Sequence, residues 1–129
     1  MTKKVLIVDD EPNIVAALDY LLQRSGYEVR IASNGEEALR EVESFAPDLV
    51  LLDVMMPRKS GYEVCQRIRE RADWSRIKIV MLSARGREAE VSKGLSLGAD
   101  LYITKPFSNA ELIARIGELL GEQGPPANT

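Results

Sequence analysis

The sequence predicts an α/β fold, a doubly wound (βα)5 domain with a five-stranded parallel sheet between two helix layers. Three observations lead there. Five short apolar runs recur along the chain: Val5–Val8, Val29–Ala32, Leu49–Leu52, Ile77–Leu82 (broken by Lys78) and Leu101–Ile103. The first, third and fourth are nearly continuous Val, Ile and Leu, as strands buried on both faces require. Helical patterns fill every interval between them, and strict alternation with short connections gives a parallel sheet covered on both sides.

Each helix has its own signal. Ile14, Leu18, Leu21 and Leu22 make one apolar stripe, and Ala38, Leu39, Val42 and Phe45 a second. Val64, Ile68 and Ala72 make a weaker third. Ala89–Leu97 is the least regular, with Val91 and Leu95 as its anchors, and Leu112, Ile116, Leu119 and Leu120 complete the last. Asn34 precedes Glu37 by three residues, and Ser108 precedes Glu111 by three, the spacing of a capping box. Gly26, Gly98 and Gly121 follow helices, where a left-handed cap is expected. Residues 1–121 read as one domain. The end, GEQGPPANT, is rich in Gly and Pro, so residues 122–129 read as a linker or disordered tail.

Composition narrows the chemistry. The chain has 129 residues, 45% hydrophobic and 29% charged, enough for one core. Its net charge of −3 argues against general affinity for nucleic acid or anionic membrane. No apolar run has the length of a membrane span or signal peptide, so a cytoplasmic location is expected. One cysteine, Cys65, excludes an internal disulfide and reads as a structural thiol. The chain contains 0 histidines. That excludes a Ser-His-Asp triad and any His-ligated metal, and means that a phosphohistidine could only belong to another protein or domain.

In an open parallel sheet the functional crevice lies at the carboxyl ends of the strands. There the sequence places Asp9, Asp10 and Glu11 after strand one, Asp53 after strand three, Ser83 after strand four, and Thr104, Lys105 and Pro106 after strand five. Clustered carboxylates repel unless a cation sits among them. An all-oxygen ligand set with room for water and phosphate favours Mg²⁺. Lys105 offers a point charge for a phosphoryl oxygen and Ser83 a hydrogen bond. A carboxylate is a competent nucleophile for an acyl phosphate, and Asp53, closing the central strand, is the best placed.

This set resembles the receiver domain of two-component response regulators, of the chemotaxis-regulator kind. VLIVDDE, LVLLDVMMPRKSG, IVMLSA and GADLYITKPF carry the resemblance, in order, over residues 4–121. It implies a flavodoxin-like three-layer sandwich with strand order 2-1-3-4-5. It implies Asp53 as phosphoacceptor in a phosphorelay, and Mg²⁺ (replaceable by Mn²⁺) held by Asp10, Asp53 and the backbone carbonyl of Met55, with Asp9 acting through water. Ser83 and Lys105 match phosphoryl-sensing positions, Lys105-Pro106 a cis bond, and Tyr102 an aromatic switch. The side chains of Met55 and Arg85 match positions that tune phosphoryl lifetime. The implied partner is a sensor histidine kinase or phosphotransfer protein, and the only catalysis is of the domain's own phosphorylation and dephosphorylation. The face of helix four, strand five and helix five is the implied output. There Lys93, Asp100 and Arg115 fit the charge pattern of relatives that form homodimers, while Leu101 replaces a second Asp.

Three other readings compete. A phosphatase of the haloacid dehalogenase type also uses Asp and Mg²⁺, but needs a second acid two residues after the nucleophile, where this chain has Met55. A flavin module on the same fold needs a Ser/Thr/Gly phosphate loop where this chain is acidic. A degenerate receiver used only for interaction would not need the complete set.

Overall fold

The computed structural model describes residues 2–56, 60–84 and 87–121. Five strands, β1 (Lys4–Val8), β2 (Glu28–Ala32), β3 (Leu49–Asp53), β4 (Lys78–Ser83) and β5 (Leu101–Thr104), alternate with α1 (Pro12–Arg24), α2 (Gly35–Phe45), α3 (Gly61–Arg69), α4 (Glu88–Ser96) and α5 (Asn109–Leu119). All neighbouring strands are parallel, in the order β2-β1-β3-β4-β5. The three-layer α/β architecture is therefore as the sequence implies. Residues 122–129 and Arg85 lie outside the described residues.

Successive side chains of a strand point to opposite faces, so each apolar run feeds two cores. Leu6, Val8, Val50, Leu52, Ile79 and Met81 pack with Val42, Phe45, Val64 and Ile68 of α2 and α3. Val5, Ile7, Leu49, Leu51, Val80 and Leu82 pack with Leu18, Leu22, Leu112 and Ile116 of α1 and α5. The central strands have no wet face, which is why they read as continuous Val, Ile and Leu. Each large side chain fully buried there contributes about 1.5–3 kcal/mol. At the β2 edge, Glu28 and Arg30 put charges on the exposed strand, a device that blunts pairing with other chains.

The helix ends follow local chemistry. Asn34 caps α2 by accepting from the Glu37 N–H (2.9 Å), but the Glu37 carboxylate reaches back to the Ser33 N–H (2.6 Å). Ser108 accepts from the Glu111 N–H (3.2 Å). Glu11, grouped by sequence with the strand-end acids, is instead the N-cap of α1 and accepts from the Asn13 N–H (2.9 Å). Gly26, Gly98 and Gly121 have positive φ as expected, and so does Ala46 at the end of α2 (φ 53°).

Three local expectations are corrected. Ile77 is buried but precedes β4. Ala72 belongs to no helical stripe: α3 ends at Arg69, and Ala72 opens a short 3-10 turn, Ala72–Trp74, with its side chain exposed. Leu95 does not anchor α4, being 45% exposed. There α4 meets the sheet through buried Gly94, with Met81 and the Tyr102 ring in the space a side chain would fill.

Candidate functional site

The carboxyl ends of β1, β3, β4 and β5 meet at one rim because their registers are in step. Val8 lies opposite Leu52, Asp53 opposite Leu82 and Ser83 opposite Thr104. The first residues past these apolar runs therefore stand side by side. Capping of α1 by Glu11 leaves the two preceding acids to the rim. Carboxylate oxygens of Asp9, Asp10 and Asp53 lie within 4.8 Å of one another. Asp9 and Asp53 are buried, 2% and 6% exposed, whereas Asp10 is open to solvent.

Lys105 enters from β5. Its Nζ stands 3.5 Å from Asp9 Oδ2 and 3.7 Å from Asp53 Oδ1. Its backbone N–H donates to the Ser83 carbonyl (2.8 Å), and the Lys105–Pro106 bond is cis. Ser83 is fully buried at the end of β4. Asp53 Oδ1 accepts from the Met55 N–H (3.3 Å), and the Met55 side chain, 51% exposed, stands at the mouth. Tyr102 is half-buried beside Gly94.

One lysine does not balance three acids. Burial pushes the Asp53 carboxyl up from 3.8 to about 6, and Asp9 adds to the rise. Lys105 and the Met55 N–H oppose it, and Asp10 raises it slightly. Asp9 Oδ1 accepts from the Glu11 N–H (2.9 Å), but its buried Oδ2 has no hydrogen-bond partner. A buried carboxylate oxygen that makes no hydrogen bond and a carboxyl whose ionisation burial opposes are groups that a cation would satisfy. The donor set is all oxygen and suits a hard divalent ion. The acidic cluster is thus fitted to hold a metal.

The model of the response regulator receiver domain matches residues 5–117. The chain belongs to that family. It is 50% identical over 120 residues to the alkaline phosphatase synthesis transcriptional regulatory protein PhoP of Bacillus subtilis, covering 93% of this chain and 49% of that protein. It resembles the crystal structure of a CheY-like response regulator receiver domain protein of Methanospirillum hungatei (TM-score 0.87, 30% identity), covering 94% of this chain and 95% of that one. It resembles equally the BeF3-activated N-terminal receiver domain of Klebsiella pneumoniae RstA (TM-score 0.86, 30% identity), covering 92% and 98%. The chain spans about half the length of the curated relatives it matches.

Of the strand-end residues named from sequence, the structure brings together the side chains of Asp9, Asp10, Asp53 and Lys105, with Ser83 on the neighbouring strand end; Glu11 caps α1 and Arg85 lies outside the described residues. The charges named for pairing between two copies have partners within the chain. Asp100 Oδ2 accepts from Arg69 Nη2 (2.9 Å) and from the Ile79 N–H (2.8 Å). Lys93 Nζ lies 4.4 Å from the centre of the Tyr62 ring, and Arg115 pairs with Glu118 (3.6 Å). Arg69 also donates to the Gly98 carbonyl (2.9 Å), tying α3 to the end of α4. A groove lined by Ala46, Pro47, Trp74, Ile77 and Leu120 lies at the opposite, amino ends of the strands and shares no residue with the acidic cluster. Among the described residues no helix is long and apolar enough to cross a membrane.

Proposed function

We propose that this receiver takes a phosphoryl group onto Asp53. The observation that carries the reading is the meeting of Asp9, Asp10 and Asp53, from the ends of two strands, with Lys105 from the end of a third paired to Asp9 (3.5 Å) and Asp53 (3.7 Å). Asp10, Asp53 and the Met55 carbonyl would hold Mg²⁺ directly, Asp9 through water, and Mn²⁺ would substitute. The ion supplies charge neutralisation between the anionic donor and the acids.

An oxygen of the Asp53 carboxylate bonds to phosphorus while the bond from phosphorus to the partner's imidazole nitrogen breaks. The electron pair returns to that nitrogen, which then takes up a proton. Lys105, already between Asp9 and Asp53, holds one phosphoryl oxygen, and Ser83 donates to another. The product adds about −1.5 to −2 of charge at the rim. Drawing Ser83 toward it vacates space into which Tyr102 would turn, which reshapes the face of α4, β5 and α5. Moving such a switch from about 1:99 to 99:1 takes roughly 5.5 kcal/mol, within reach of two or three charge-assisted contacts. Met55, and Arg85 outside the described residues, would tune the lifetime of the phosphoryl group, as the family resemblance implies.

The donor is a cytoplasmic histidine kinase or phosphotransfer protein. Because longer relatives are named transcriptional regulators, the reshaped face is proposed to act on a transcriptional output, with pairing of two copies across it. The test is intact mass after incubation with acetyl phosphate and Mg²⁺. The wild type is expected to gain one phosphoryl group and Asp53→Asn none. Labelling of both, or of neither, refutes the assignment.

A further inference from the structure

Gly61 is the first residue of α3 and is buried. Its φ lies outside the left-handed region, so no conformational demand calls for glycine there. Space does. A Cβ at this position would stand 2.5 Å from the Asp53 carbonyl oxygen, 2.8 Å from the Val54 Cα and 3.1 Å from the Asp53 carbonyl carbon. All three are backbone atoms of the residue that bears the acceptor carboxylate and its successor. No side-chain rotation can relieve the clash. The Gly61 N–H donates to the Val54 carbonyl (2.9 Å), which locks the same approach.

The backbone leaving β3 is held from three directions. The Val54 N–H continues the ladder to the Leu82 carbonyl (3.1 Å). Gly61 presses on the Asp53–Val54 peptide and captures its successor's carbonyl. The Met55 N–H returns to Asp53 Oδ1. The start of α3 is fixed independently by Ser60 and Glu63, which form a reciprocal capping box with both bonds at 3.3 Å. A well-anchored helix start thus abuts the acceptor's peptide with nothing in between.

We infer that Gly61 is a positioning residue for the metal: its missing side chain lets α3 seat the Asp53–Met55 backbone so that the Asp53 carboxylate and the Met55 carbonyl converge on one ion. This rests on the metal reading above. Mg²⁺ demands near-ideal octahedral geometry at about 2.0–2.1 Å, whereas Ca²⁺ accepts flexible coordination at about 2.3–2.6 Å. A methyl group at Gly61 forces the start of α3 and the Asp53–Val54 peptide apart. That displacement discriminates between the two ions, which general destabilisation of the fold does not.

The experiment is calorimetric titration of Mg²⁺ and of Ca²⁺ into wild type, Gly61→Ala and Ser60→Ala, with thermal unfolding of each metal-free protein. Gly61→Ala is expected to weaken Mg²⁺ binding about tenfold or more and Ca²⁺ binding by no more than about threefold. Ser60→Ala, which removes the cap but leaves the contact with Asp53, is expected to lower the unfolding temperature and leave both affinities in place. Gly61→Ala affinity for Mg²⁺ within about twofold of wild type overturns the inference while leaving the metal reading intact. Equal loss for both ions, or loss in Ser60→Ala as well, also overturns it. A wild type that binds no Mg²⁺ overturns both. In the wild type, exchange of the Gly61 amide, followed by NMR, is expected to slow as Mg²⁺ is added. An unchanged amide overturns the inference even if Gly61→Ala does not fold.

Discussion

Replacing Asp53 by Asn should stabilise the metal-free protein, although it removes the residue on which function is proposed to depend. The Asp53 carboxyl is held at about 6 in the fold against 3.8 in an open chain. A carboxyl raised in this way binds its proton more tightly folded than unfolded. Its contribution to stability therefore falls as pH rises from 3.8 toward 6, and above that window the whole penalty is present. At about 1.4 kcal/mol per pH unit, the penalty at pH 7.5 is about 3 kcal/mol. The Asp53 side chain is only 8% exposed, so solvent screens little of it. Asn keeps the shape and can still accept from the Met55 N–H, but it carries no charge to desolvate. Urea unfolding in EDTA, followed by the fluorescence of the single tryptophan, Trp74, is the assay. Asp53→Asn is expected to exceed wild type by about 3 kcal/mol at pH 7.5 and by about 1 kcal/mol at pH 4.5. Mg²⁺ at about a hundred times its dissociation constant should return about 2.7 kcal/mol to the wild type and little to the variant. Equal stabilities at pH 7.5, or a gap that persists on acidification, would refute the claim that the fold holds Asp53 against its charge.

Three further outcomes follow from the same coordinates. Lys105→Met removes the cation that lowers the Asp53 carboxyl, so its titration midpoint, read from the carboxyl ¹³C shift, should move above 6; an unmoved midpoint contradicts the geometry. Arg69→Met loses the bond to the Gly98 carbonyl and the ion pair to Asp100, and should cost about 1–3 kcal/mol in urea unfolding, while Arg71→Met, whose ion pairs are exposed, should leave the midpoint in place. Cys65 is fully buried, its Sγ lies 3.5 Å from the Leu97 carbonyl, and burial pushes its thiol up to about 11. It should resist a thiol reagent at pH 8 until urea exposes it.

What could be read from sequence was set by range. The strands were legible because burial on both faces leaves continuous apolar runs such as VLIV and LVLL, and no tertiary partner is needed to see them. Asn34 and Ser108 were legible because a cap is a matter of three residues. The convergence of Asp9, Asp10, Asp53 and Lys105 was legible, because a parallel sheet delivers the residues after each run to one edge. The electrostatics of the site were not, since the balance on Asp53 depends on burial and on a few ångströms to Asp9 and Lys105. The part that Glu11 plays was not legible, because an acid after a strand serves a site and a cap equally well in sequence. Leu95 and Ala72 looked like core because spacing alone carries no depth. The bond from Arg69 to Asp100 was not legible at all, because it joins positions far apart in the chain. Gly61 carried the weakest signal of all. A glycine beside a helix start reads as ordinary loop punctuation, and only the Asp53 carbonyl oxygen beside it reveals what it is for.

The distribution of burial among the three acids also bears on order of events. Asp10 is open to solvent, whereas Asp9 and Asp53 are nearly closed off. Asp10 is therefore the acid that a hydrated cation would reach from solvent, whereas Asp9 and Asp53 would hold it only within the buried part of the site. Lys105 lies on the far side, paired to Asp9 and Asp53 but not to Asp10, so it opposes repulsion at the buried pair without blocking the entrance. Were Lys105 moved to the mouth, it would repel the cation. Were Asp10 buried with the others, the metal-free fold would carry a third desolvated carboxylate and a larger penalty than the one assigned to Asp53. The observed arrangement leaves three carboxylates facing one ammonium, short of two positive charges when all are ionised, which is the charge a divalent cation would supply.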